Sequence, residues 1–92
     1  MKRIINNKIY DTDKCELLLK YNWDWSFNVT YLFKTNKGTY LMYQDVSFED
    51  DNKKFNNLVI LSKEETKELL IELNEVDEVD LYEKQFGKLE EG

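Results

Sequence analysis

Nineteen carboxylate side chains and not one histidine decide what chemistry this 92-residue chain can attempt. Without imidazole, the usual zinc sites and imidazole-base mechanisms are excluded. Paired carboxylates serve hydrolysis as general acid and base, but nothing in the spacing here selects one pair. The triplet Glu49-Asp50-Asp51 lacks the alternating ligands and the glycine of a calcium loop. A magnesium-dependent nuclease would need a cationic surface for its substrate, which the acidic second half of the chain opposes. Cys15 is the single cysteine, so no intrachain disulfide forms, and with no imidazole to activate it we read it as a small buried hydrophobe. Serine has no evident base partner. The glycines, Gly38, Gly87 and Gly92, read as turn, cap and tail and not as a phosphate-cradling loop. The expectation is therefore a protein with no catalytic residue, no cofactor and no metal.

Charge is the more informative signal. Residues 1–44 carry seven basic and four acidic side chains, whereas residues 45–92 carry six basic and fifteen acidic, within a total of −6. This layout argues against direct binding to nucleic acid and for a basic protein partner. The partner-binding residues expected are Glu49, Asp50 and Asp51 in one stretch and Glu75, Asp77, Glu78, Asp80 and Glu83 in another, with Tyr82, Tyr40 or a tryptophan as anchor.

The elements that must position these groups follow from periodicity. From Trp23 to Phe33 every odd residue is aromatic or Val, a period of two that specifies a strand. Asn36-Lys37-Gly38 fits a three-residue hairpin loop that sets Thr35 opposite Thr39, Phe33 opposite Leu41 and Tyr31 opposite Tyr43. The odd face is expected to pack under helices, while the even face, with Leu32 opposite Met42, is expected at the surface and is apolar enough to touch a partner. So long a strand predicts a bend or bulge near Ser26 or Asn28, with Trp23 and Trp25 either core or interface anchors.

Before that hairpin, Asn6-Asn7 between Lys2–Ile5 and Lys8–Tyr10 predicts a first short hairpin with a type I′ turn. Capping by Thr12 or Asp13 and the Cys15, Leu18, Leu19 stripe predict a helix over about 13–21. After it, 44–57 reads as a long polar connection, and the apolar run Leu58-Val59-Ile60-Leu61 as a strand central in the sheet. Ser62-Lys63-Glu64-Glu65 is a capping box opening a helix that ends near Asn74, with Thr66, Leu69, Leu70 and Leu73 inward. Val79, Tyr82 and Phe86 predict a last helix closed by Gly87. The order β-β-α-β-β-β-α-α gives an α+β fold: an antiparallel sheet of two hairpins and a further strand, with two to three helices on one face. A single domain over 1–87 with a flexible tail over 88–92 is expected. No apolar run reaches membrane-spanning length and the start breaks off too early for a signal peptide, so the expected location is the cytoplasm.

The stretches Ile4-Ile5-Asn6-Asn7-Lys8-Ile9-Tyr10-Asp11-Thr12 and Tyr31 to Tyr43 resemble a family of short proteins in low-GC bacteria and their phages. That family opens I-N-G-K-x-Y-D-T and continues through a T-K-x-G hairpin to an acidic helix finishing in E-x-F-G. Asn7 stands where the family has glycine, a difference that touches the turn only. The resemblance implies a mobile-element protein similar in kind to anti-CRISPR and other anti-defence inhibitors. The function expected is thus a non-enzymatic acidic inhibitor of a nucleic-acid-targeting defence system, most concretely an anti-CRISPR protein that blocks an effector's cationic channel as a DNA mimic. The alternative is an immunity protein that neutralises a bacterial toxin. A carboxylate-dependent enzyme and an even-face binding module stand behind these.

Overall fold

The central hairpin forms as its turn chemistry dictates. In the computed structural model, which describes residues 1–22, 28–46 and 58–92, β4 (Asn28–Lys34) and β5 (Tyr40–Val46) pair with Phe33 opposite Leu41, Tyr31 opposite Tyr43 and Leu32 opposite Met42. Gly38 takes φ +87° and donates its N–H to the Thr35 carbonyl (2.9 Å), while Thr35 N–H reaches the Thr39 carbonyl (2.8 Å). The glycine is there because a side chain is strained in that left-handed conformation. The first hairpin joins β1 (Lys2–Ile5) to β2 (Lys8–Asp11) through Asn6 and Asn7, whose φ values of 52° and 63° are those of a type I′ turn.

The predicted helix over 13–21 is not there. A single 3-10 turn, Thr12–Lys14, is capped by Asp11, whose Oδ1 accepts from Asp13 N–H (3.1 Å). Strand β3 (Glu16–Asn22) follows and pairs antiparallel with β4. The consecutive Leu17, Leu18 and Leu19 concealed it, because they break the alternation expected of a strand. The break is a register shift: Leu17 faces Phe33 and Leu19 faces Leu32, so one extra residue is accommodated between them. A helix of nine residues is marginal by itself, and the long ladder with β4 outcompetes it.

β6 (Leu58–Leu61) completes a four-stranded antiparallel sheet in the order β3-β4-β5-β6. The apolar run was expected centrally and lies instead at the edge, where Val59 stays 37% exposed. β5 also extends through Val46, so the first residues of the expected long connection are strand. Trp23, Trp25, the bend expected near Ser26 and the remainder of the connection, 47–57, lie outside the described residues.

Burial corrects the expected sidedness of the sheet. The even face, expected at the surface, holds Leu19, Thr30, Leu32 and Tyr40 buried, with Leu32 at 0% exposure. On the odd face Leu41 and Leu58 are buried, but Tyr31, Phe33 and Tyr43 are only half-buried and stack on one another, at 6.2 Å between Tyr31 and Phe33 and 6.0 Å between Tyr31 and Tyr43. Both faces therefore carry core, and the apolar character of the even face is accounted for by burial.

Two helices follow, α1 (Lys63–Leu73) and α2 (Val76–Phe86), and pack on each other. The fold is α+β, with a two-stranded and a four-stranded antiparallel sheet and a helix pair. The chain divides into two compact units, Met1–Leu61 and Ser62–Gly92. Among the described residues no helix is long and apolar enough to cross a membrane.

Candidate functional site

Of the acidic residues singled out by sequence, Glu75, Asp77, Glu78, Asp80 and Glu83 fall in the helical unit, whose local structure is set by its ends. Ser62 Oγ accepts from Glu65 N–H (3.0 Å) and Glu65 Oε1 accepts from Ser62 N–H (2.9 Å), the reciprocal box that the sequence announced. These bonds hold the Glu65 carboxyl below its ordinary value of 4.5, the backbone bond contributing most. Thr66, fully buried, donates its hydroxyl to the Ser62 carbonyl (2.8 Å). Asn74 ends α1 in the left-handed conformation, φ 47°, and Glu75 starts α2 with no side-chain cap bond.

From that junction the carboxylates diverge in role. Glu75, Asp77 and Asp80 are exposed. Glu83 is half-buried, and its Oε2 accepts the N–H of Leu89 (3.1 Å), which ties down part of the expected flexible tail. Glu78 departs from the expected surface set: it is 3% exposed, and its Oε2 meets no hydrogen-bond partner among the described residues. The reason is helical phase. The expected inward stripe was Val79, Tyr82 and Phe86, but Val79 is 38% exposed, and the less exposed side runs through Glu78, Leu81, Tyr82, Gln85 and Phe86. Glu49, Asp50 and Asp51 lie outside the described residues.

Two lysines that would be the natural counter-charges are engaged elsewhere. Lys63 and Lys67, one turn apart on α1, set their ammonium groups 6.0 and 5.3 Å from the ring centre of Phe86 on α2. Tyr82 meets the same ring edge-on at 5.4 Å. Tyr82, expected as a surface anchor, is thus half-buried, its ring against Phe86 one turn further along α2. The helical unit carries eleven acids against four bases, and among the described residues none of these acids forms an ion pair.

The exposed apolar residues of this unit are aliphatic. Ile71 is 61% and Val76 76% exposed, on either side of the Asn74 break, with Glu68, Glu72, Glu75 and Asp77 near them in sequence and exposed as well. Sequence reading missed both, although a signal existed: neither falls on the stripe that buries Leu70 and Leu73. An anionic surface with a few desolvatable aliphatic side chains is suited to docking.

Elsewhere, Cys15 is half-buried, and its Sγ donates to the Asp11 carbonyl (3.2 Å). Burial first, and the Asp11 charge second, push its thiol above the ordinary 9.0, away from nucleophilic character. Tyr43 is likewise raised above 10.0, by burial and then by Asp45. Among the described residues no group of three or more Cys, Asp or Glu side chains is placed to hold a metal ion. No protein-family model matches the chain, and neither a curated protein nor a solved structure matches it.

Proposed function

We propose that this protein is a non-enzymatic acidic inhibitor that docks on the cationic nucleic-acid channel of a host defence nuclease, a CRISPR effector being the target class. The observation that carries the reading is the carboxylate excess of the helical unit, eleven acids against four bases with no ion pair among the described residues. Carboxylates at Glu75, Asp77 and Asp80 stand in for phosphates, and Ile71 and Val76 supply the apolar contact that charge alone lacks. Attraction between such surfaces speeds encounter and selects basic partners, and it is screened over a Debye length of about 8 Å at physiological salt.

The test is a competition. Purified CRISPR effectors are loaded with guide and labelled target DNA, and the full chain is titrated in at rising ionic strength. The expected result is displacement of DNA from at least one effector type, weakening steeply as salt rises. Indifference of every effector, together with protection of cells from a toxin encoded beside this gene, would make it an immunity protein instead.

A further inference from the structure

The sheet unit contains a groove of about 720 Å³ between the first hairpin and the turn of the central one. Its wall is β2 with the turn before it, the start of β1, the turn after β2 and the loop of the central hairpin. Four lysines, Lys2, Lys8, Lys14 and Lys37, meet there with one acid, Asp11. Asp11 Oδ1 accepts the N–H of Asp13 (3.1 Å) and keeps its charge, so the lining carries four cations against one anion.

Two other lysines of the sheet are engaged with aromatic rings. Lys20 and Lys34 lie over the rings of Tyr31 and Tyr40, at 5.8 and 5.6 Å. None of the groove lysines lies over a ring or forms an ion pair among the described residues, although Lys2 stands opposite Asp11 in the β1–β2 ladder. The ion pair near them joins the N-terminal ammonium to Asp13 (3.7 Å), which removes a competing carboxylate from the neighbourhood. β2 pairs on one side only among the described residues, so backbone N–H groups along its other edge are unspent donors. Asn7, Asn36 and Thr39 add side-chain hydrogen-bonding groups.

We propose that this groove binds a small molecule bearing several phosphate groups, of about nucleotide size. Volume and charge carry the assignment. Ligand pockets run to about 300–1,000 Å³, and a lining of four lysines against one carboxylate is matched by a compact polyanion. Size decides for a small molecule over a nucleic-acid strand. A long strand extends well beyond a groove of about 720 Å³ and is opposed by the chain's net charge of −6, whereas a compact ligand concentrates its charge among the lysines. Tyr10, half-buried in the wall, offers a ring edge or hydroxyl to whatever the phosphates are attached to.

The proposal is independent of the inhibitory reading and fails separately from it. The full chain is titrated by calorimetry at low ionic strength with sodium tripolyphosphate, ATP, adenosine and a single-stranded oligonucleotide. Tripolyphosphate and ATP are expected to bind at one site and adenosine not at all. Tighter binding of ATP than tripolyphosphate assigns the ligand as a nucleotide, and equal binding assigns the phosphates alone as what is read. The double substitution Lys8→Gln with Lys37→Gln is expected to weaken both by about tenfold or more, since bonds to charged groups are the strong ones. Lys88→Gln, outside the groove, is expected to change nothing. No heat with either phosphate ligand, equal affinity in the double variant, or an oligonucleotide preferred with affinity growing with length would each overturn the assignment.

Discussion

The sheet unit and the helical unit handle charge in opposite ways. In the sheet unit nine bases nearly balance eight acids, yet four lysines line one groove without an ion pair among the described residues. In the helical unit eleven acids face four bases, and two of those bases are drawn to an aromatic ring. A count of charges along the chain foresees the second pattern and not the first. Excess charge is a property of composition, whereas convergence of like charges is a property of topology.

The two units also differ in what holds them. The sheet is held by contacts between residues distant in sequence, and Leu41, fully buried on β5, is at its centre. Leu41→Ala should lower stability by about 2–5 kcal/mol through lost burial and the cavity left behind. Chemical denaturation measures it, and a loss below about 1 kcal/mol would mean that the site collapses freely and the sheet is not the stable framework described.

Local devices should cost less. Gly38→Ala places a side chain at φ +87° and should destabilise by about 1–2 kcal/mol through backbone strain, since a Cβ there meets no atom. Ser62→Ala removes one half of the α1 capping box and should cost about 1 kcal/mol. If Ser62→Ala proved the costliest of the three, the contrast between a long-range sheet and a locally specified helix pair would be wrong.

The smallest effect is a dependence on pH. The folded state holds the Glu65 carboxyl below 4.5, so its contribution is present above that value and is lost as pH falls through the lower folded value. Thermal unfolding of Glu65→Gln should therefore differ from that of the parent at neutral pH and converge with it in the acid range. Parallel curves at all pH values would show that the charge on Glu65 plays no part in the cap.

These devices were legible in the sequence because each is written within a few residues. Asn6-Asn7, Asn36-Lys37-Gly38 and Ser62 with Glu65 adopt the turns and cap their types require, and the hairpin register follows by counting. What was not legible depends on pairing. Leu17-Leu18-Leu19 looks helical until β4 is laid beside it with a shifted register. Glu78 looks like another surface acid until the phase of α2 turns it inward. Of the candidate site, the exposed acids Glu75, Asp77 and Asp80 could be read directly. Ile71, Val76 and the lysine groove required the assembled chain, because their significance lies in exposure and convergence.

The most direct test of the central claim is the affinity for a captured effector of the triple variant Glu75→Gln, Asp77→Asn and Asp80→Asn, with Glu78→Gln alongside as the buried comparison. The account predicts that the triple variant loses binding by about tenfold or more, with a shallower salt dependence, at unchanged stability. Glu78→Gln should leave affinity as it was. Undiminished binding by the triple variant would contradict the claim that this protein works through an uncompensated anionic surface.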